Sequence, residues 1–169
     1  MLTKNAGSSV REPSVDALPV GYLTYFLGTE EYAIDILKVQ EIRTYEAPIT
    51  IANAPAFLKG VISLRGTVVP IVDLRTVFGI GRTDYTPFTV VIIVAVAKRV
   101  VGIVVDGVSD VTMLRDRDIC PTTGFSAEID DSHIRGLSCI DQRRLVVIDI
   151  ESLIVSIATR SSKTSVKQQ

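Results

Sequence analysis

Tryptophan is absent from this 169-residue chain, histidine occurs once, and cysteine and methionine occur twice each. Each scarcity excludes a class of chemistry. One histidine and two cysteines as far apart as Cys120 and Cys139 cannot supply the close-spaced ligand pairs of a usual zinc site. Two cysteines make no disulfide framework and read as ordinary reduced thiols. Nucleophilic catalysis needs a base, and His133 is the sole histidine. Neither its neighbour Ser132 nor distant Cys139 makes a dyad with it without geometry, so it reads as an exposed loop residue. Asp130-Asp131 reads as a pair of solvated loop carboxylates. The phosphate loop G-x-x-x-x-G-K does not occur, and Gly79-x-Gly81 lacks the strand before it and the further glycine of a dinucleotide fingerprint.

Charge of one sign is also missing. Eighteen Lys and Arg face 19 Asp and Glu for a net charge of −1, so no basic field draws a nucleic-acid backbone. Nor is there a membrane-spanning run. The most apolar stretch, residues 88–105, is split by Lys98-Arg99, and its first half falls far short of the roughly 20 residues a bilayer requires. Residues 1–19 carry Lys4, Arg11, Glu12 and Asp16 without the apolar centre of a signal peptide. The expectation is a cytoplasmic protein with no metal, no cofactor, no nucleic-acid partner and no direct membrane insertion.

What is present is apolar and β-branched: 47% of residues are hydrophobic and the mean hydropathy is +0.35. The chain is organised around residues 60–78, G-V-I-S-L-R-G-T-V-V-P-I-V-D-L-R-T-V-F. Two β-branched runs flank Arg65-Gly66, which predicts a tight hairpin whose glycine takes a positive φ without strain. Arg65 then stands at the tip, with its guanidinium in solvent. Pro70 cannot donate to a ladder, which predicts an edge strand or a bulge there. Asp73 caps a short helix through Phe78, closed by Gly79.

Upstream, residues 1–19 read as a flexible leader. Leu23, Tyr25 and Leu27 alternate on one strand; Tyr32, Ile34 and Ile36 on the next; Val39 to Ile42 form a third short piece. Asn53 followed by Pro55 predicts a short helix ending at Gly60. Downstream, residues 79–87 read as a linker, and Phe88 to Val96 as a strand buried on both faces. Lys98-Arg99 turns it, Val100 to Val105 returns, and Asp106-Gly107 is a further turn. Residues 113–133 read as a long loop. Ile134 to Ile140 and Leu145 to Ile148 form a last hairpin. Asp149 caps a helix spaced by Ile150, Leu153, Ile154 and Ile157, followed by a flexible tail at 159–169.

The chain also repeats itself. An offset of 76 carries Gly60…Asp73 onto Gly136…Asp149, and an offset of 69 carries Ile34, Ile36, Val39, Glu41 and Ile42 onto Ile103, Val105, Val108, Asp110 and Val111. Doubled short strands predict two similar small barrels, with the cleft between lobes as the natural binding site.

Three ordered segments resemble the CheW-like family of chemotaxis coupling proteins: G-T-E-E-Y-A-I-D-I-L-K-V-Q-E-I at 28–42, G-V-I-S-L-R-G-T-V-V-P-I-V-D-L-R at 60–75, and V-V-G-I-V-V-D-G-V-S-D-V at 100–111. The resemblance covers residues 20–158. It implies an all-β fold of two tandem five-stranded SH3-like barrel lobes around a shared core, with short helices. The lobes would lie at roughly 20–82 and 88–158, with strands open to exchange between them. The family's turn carries Asn two residues before the Arg, where this chain has Ser63.

The resemblance further implies a non-catalytic adaptor recruited to receptor arrays at the inner face of the membrane. Its partners would be the regulatory domain of the histidine kinase CheA and the cytoplasmic tip of a methyl-accepting chemoreceptor. By position, Val39, Glu41, Ile42 and Arg65 would line the receptor side, with Val111 facing them from the other lobe. Two other readings stay open: a small-molecule-binding β-barrel, which needs an interior cavity, and a hydrolase or transferase using His133.

Overall fold

The computed structural model describes residues 18–80, 84–121 and 133–168, with side chains through Arg160. Most of the expected leader, residues 81–83 of the linker, Asp130-Asp131 and the middle of the 113–133 loop lie outside the described residues. Ten strands follow in chain order: β1 (Val20–Leu27), β2 (Glu30–Asp35), β3 (Val39–Thr44), β4 (Leu58–Leu64), β5 (Thr67–Asp73), β6 (Val90–Val96), β7 (Arg99–Val105), β8 (Gly107–Leu114), β9 (Ile134–Ile140) and β10 (Arg143–Ile148). Helix α1 (Leu74–Val77) follows β5, and α2 (Ile150–Gln168) follows β10. Single 3-10 turns occupy Ile36–Lys38 and Asp116–Asp118.

The strands form two five-stranded sheets, ordered β8-β1-β2-β10-β9 and β3-β6-β7-β5-β4. The strands on the two sides of residues 82–88 are therefore exchanged between the sheets, the arrangement that the expected lobe division left open. The second sheet draws all its strands from residues 39–105, and the first combines β1 and β2 with β8, β9 and β10. The opening hairpin of each repeat, β1–β2 or β6–β7, pairs with the later strands of the other. The internal repeat holds at the level of register: β5 meets β7 in parallel at Ile71↔Gly102, and β10 meets β2 in parallel at Val147↔Ala33. The same offsets carry Ile42↔Ile92 onto Val111↔Leu23.

Faces sort into three cores. Leu64, Val69, Ile71, Val91, Ile93 and Val104 fill the second barrel, and Tyr22, Ala33, Leu114, Ile119, Leu145 and Val147 fill the first. The largest cluster joins the two sheets through their other faces, with Leu23, Tyr25, Ile34, Val72, Ile92, Val94, Ile103 and Val146 among its members. Alternation explains why β6 is apolar at every position: Ile92 and Val94 face the shared core, Val91 and Ile93 the barrel. The space between lobes is thus packed, where the sequence suggests a cleft. Apolar surface opens only at its margins.

The turns follow their residues. Arg65 and Gly66 both have positive φ, 50° and 84°, as the mirror-image turn of a two-residue hairpin needs. Ala97-Lys98 and Asp141-Gln142 take the same form without glycine, so the first of these turns lies one residue before the expected Lys98-Arg99. Asp73 accepts a bond from Arg75 N and caps α1 as expected.

Four expectations change. Residues 51–57 are turns, not a helix, and β4 begins at Leu58; Ile49 bridges Val61 instead, and the strand pairing outweighs the Asn-Pro signal. Pro70 lies in a strand with neighbours on both sides. It is tolerated because pairing with β7 begins only at Ile71. Asp106-Gly107 is not a hairpin turn but the crossing from β7 in one sheet to β8 in the other. Finally, α2 continues to Gln168, so residues 159–168 are helical where composition suggests a tail.

Candidate protein-interaction site

Four of the five sequence-derived site residues lie on edge strands, Val39, Glu41 and Ile42 on β3 and Val111 on β8, and Arg65 lies at the tip of the β4–β5 hairpin. β3 ends one sheet and β8 ends the other. Directly paired residues share a face, which fixes where each side chain goes. Val39 pairs with Val94 and Ile42 with Ile92, both on the shared-core face, and a bulge between Val39 and Glu41 permits the three-residue spacing. Val39 packs against that core, whereas Ile42 is 42% exposed. The apolar seam reaches solvent there.

Glu41 pairs with Ile93, on the barrel-interior face. Its carboxylate lies at the barrel mouth, where it accepts a charge-assisted hydrogen bond from Arg65 and a longer one, 3.3 Å, from Arg43. The Arg65 guanidinium holds the Glu41 carboxyl below the usual range. Arg65 is exposed as expected, with 69% of its side chain accessible. It is not free: its partner is the other charged residue of the same set. Ser63 is an exposed mid-strand residue opposite Val68, and the turn forms with serine there.

Val111 occupies the matching place on β8 and is 53% exposed, as is Met113 at 54%. Ile36 and Val111 approach the same point, within 3.4 Å of where a side chain on Gly21 would stand. The 3-10 turn leading into β3 and the β8 edge therefore flank the same point of β1.

Sequence reasoning passed over a second charged cluster. Asp110, the repeat-mate of Glu41, accepts from Thr24 Oγ1 at 2.7 Å and from Arg143 at 3.1 Å. The Thr24 hydroxyl, then Arg143, hold its carboxyl below the usual range. Arg143 also bonds Glu31, and Glu31 chiefly keeps its guanidinium charged. Each barrel is thus closed by an acid on its edge strand bonded to an arginine of its hairpin. The Glu41-to-Asp110 offset was the available signal; the arginines stand at non-equivalent positions, so the pairing was invisible. Leu37, 82% exposed beside β3, was also passed over.

A buried network supports the junction. Arg75 donates to Asp73 from Nε at 3.0 Å and from Nη2 at 2.9 Å, and from Nη1 to Asp106 and to the Asp84 carbonyl, both at 2.7 Å. Asp106 in turn accepts from Gly28 N, in the β1–β2 turn of the other sheet's hairpin, at 2.6 Å. The guanidinium lies 5.2 Å from the Tyr85 ring centroid, and Tyr85 stacks on Tyr45 at 4.3 Å, one residue past β3.

His133 is not an exposed loop residue. It is 5% exposed, its Nδ1 lies 3.0 Å from Ser152 Oγ, and its carbonyl accepts from Asp149 N. The ring is enclosed under α2 and joins the start of β9 to that helix. Cys120 and Cys139 are free and exposed. Among the described residues, no group of three His, Cys, Asp or Glu could hold a metal ion, and no helix is long and apolar enough to cross a membrane.

Residues 21–158 match the family model of the CheW-like domain. The chain is 49% identical over 135 residues to the chemotaxis protein CheW of Klebsiella aerogenes, covering 80% of this chain and 81% of that protein. It is 36% identical over 134 residues to the chemotaxis protein CheW of Rhizobium meliloti, covering 79% and 86%. The crystal structure of the scaffolding protein TtCheW from Thermoanaerobacter tengcongensis superposes with a TM-score of 0.73 at 29% identity, covering 78% of this chain and 89% of that one. With the doubled barrel and its shared core, these matches place the chain in the CheW-like domain family, among chemotaxis and scaffolding proteins.

Proposed function

We propose that this chain bridges the cytoplasmic tips of chemoreceptors to the histidine kinase CheA, so that receptors control kinase autophosphorylation, and that it does so without catalysis. It works in the cytoplasm, recruited to receptor arrays at the inner membrane face. The observation that carries the reading is the exposed end of the shared core on β3. Ile42 extends a packed apolar seam into solvent, and the Glu41–Arg65 pair stands beside it. A receptor helix lays apolar anchors along Val39, Ile42 and Val111. Arg65 and Glu41 exchange part of their mutual bond for polar groups at the rim, where arginine is favoured. The regulatory domain of the kinase takes a separate surface.

A transient contact of roughly 800 Å² per partner or less suits micromolar affinity. A hydrogen bond from a charged group is worth about 1.5–3 kcal/mol, so Arg65→Ala weakens binding of a receptor cytoplasmic fragment roughly tenfold or more in a calorimetric titration. Binding of the kinase regulatory domain is unchanged. Both affinities falling together would refute the two-surface arrangement. The small-molecule alternative needs a hollow barrel, and both interiors are occupied by buried hydrophobic clusters.

A further inference from the structure

The shared core stays open at one end, in a groove of about 470 Å³ between α2 and the second barrel. Its floor is Val72 of β5, Leu58 paired opposite it, and Val101 of β7; Ile154 and Ile157 of α2 form one wall. The opening has a cause in the sequence. Among the described side chains of α2 the large buried apolar ones end at Ile157, and Ala158, also lining the groove, is too small to fill the remaining space. Along β5 the same face runs from buried Val72 through half-buried Pro70 to Val68, which is 67% exposed. The volume lies within the range of ligand-binding pockets.

Among the described residues, no carboxylate lines this groove. Arg99 stands at its rim, and among the described residues its guanidinium has neither an ion pair nor a hydrogen bond. Exposed Lys98 precedes it in the turn. An apolar floor under an unneutralised arginine is complementary to one kind of occupant. We infer that the groove docks a short aliphatic segment of a partner protein, with an Asp or Glu side chain placed to meet Arg99. The aliphatic side chains continue the core, and the carboxylate supplies the charge-assisted bond that Arg99 lacks. The groove shares no residue with the receptor-facing set, so this inference stands apart from that reading.

The test is an NMR titration of the ¹⁵N-labelled full chain with the N-acetylated, C-amidated peptide Leu-Leu-Glu-Leu-Leu-Glu. The expected result is shifts centred on the amides of Val72, Val101 and Ala158, with a dissociation constant on the order of 1 mM or tighter. Arg99→Glu weakens this binding at least fivefold, and the same variant prefers the peptide with Lys in place of Glu, which the unaltered chain binds more weakly. Ala158→Trp, which fills the groove, removes both interactions; should that variant not fold, the charge exchange at exposed Arg99 decides alone. Shifts centred elsewhere, or indifferent to Arg99→Glu, overturn the inference. So do concentration-dependent shifts at the same residues without peptide, which make a second copy the occupant. Tighter binding of decanoate with the same Arg99 dependence also overturns it, in favour of a small anionic amphiphile.

Discussion

Arg65 reaches back 24 residues to bond the Glu41 carboxylate across the mouth of the second barrel. The bond joins the tip of the β4–β5 hairpin to the edge strand β3, at opposite ends of one sheet. Its effect on Glu41 is measurable without any partner. Arg65 lowers the Glu41 pKa below its ordinary 4.5, so the pair's contribution is fully present above that value and is lost as pH falls through the folded one. Arg65→Ala moves the Glu41 carboxyl back up, read from its ¹³C shift against pH. Both groups meet solvent, so the effect on overall stability is small. A Glu41 titration unmoved by the substitution would show that the pair does not persist in solution.

The two repeats predict a matched pair of destabilising substitutions. Gly60 and Gly136 have φ of 149° and 157°, and a Cβ on either would strike backbone: the Ile49 carbonyl oxygen at 2.1 Å and that of Cys120 at 2.4 Å. Backbone held by the Ile49↔Val61 and Cys120↔Leu137 bridges cannot yield as a side-chain tip can. Gly60→Ala and Gly136→Ala each cost about 2 kcal/mol or more, measured by urea denaturation.

The contrast case is Gly102, whose added Cβ meets the Cδ1 of Ile71 at 2.6 Å and the Cγ1 of Val91 at 2.8 Å. These are side-chain atoms. Ala33, its repeat-mate, already sits at the matching place in the first barrel, opposite Val147. Gly102→Ala therefore costs about 1–3 kcal/mol, the range of a one-methyl overpacking. In the same denaturation series it falls below both backbone-blocked substitutions.

How far residues reveal this molecule depends on whether a feature is local. The Arg65-Gly66 turn, the Asp73 cap and the helix spacing of Ile150, Leu153, Ile154 and Ile157 were legible because each is decided within a few residues. The offsets of 69 and 76 revealed the repeat, but similarity between copies cannot say which copy a strand pairs with. The two sheets accordingly cross the boundary drawn near residues 82–88. His133 looked exposed because its neighbours are polar; its burial comes from α2, reached only after the last hairpin has formed. At the site, Glu41 was named through the family resemblance and Val111 through the repeat; that both stand on edge strands was not legible, because strand order within a sheet is set by long-range pairing. Nor were the Glu41–Arg65 and Asp110–Arg143 bonds, because barrel closure brings together strands far apart in the order of the sheet.

Tyr25 carries a prediction of opposite sign. It is fully buried in the shared core, stacked on Tyr32 with ring centroids 5.8 Å apart. Its hydroxyl has no hydrogen-bond partner among the described residues, and burial pushes its pKa well up. A buried polar group without a partner costs about 1–3 kcal/mol. Tyr25→Phe keeps the stacking and removes that cost, so the melting temperature rises by about 2–4 °C per kcal/mol recovered. A lower melting temperature would reveal a partner for that hydroxyl.

Arg75 tests whether the barrels are held together by charge as well as by apolar packing. Asp73 is wholly buried and Arg75 is 1% exposed, with three of the guanidinium's bonds made to Asp73 and Asp106. Removing one partner of such a pair strands the other: Arg75→Met leaves the Asp73 carboxylate in the core and costs about 3–5 kcal/mol. The Asp73→Asn and Arg75→Met double variant removes both charges and recovers a large part of that loss, since the interaction energy of adjacent residues is not additive. The local consequence separates this role from mere packing. Arg75 lies over Tyr85, which stacks on Tyr45 just beyond β3, so both variants loosen that stack. Faster amide exchange at Thr44 and Tyr45, persisting in the double variant after stability is partly regained, is the expected signature. Exchange there that simply follows global stability would mean that the network holds the fold without positioning β3.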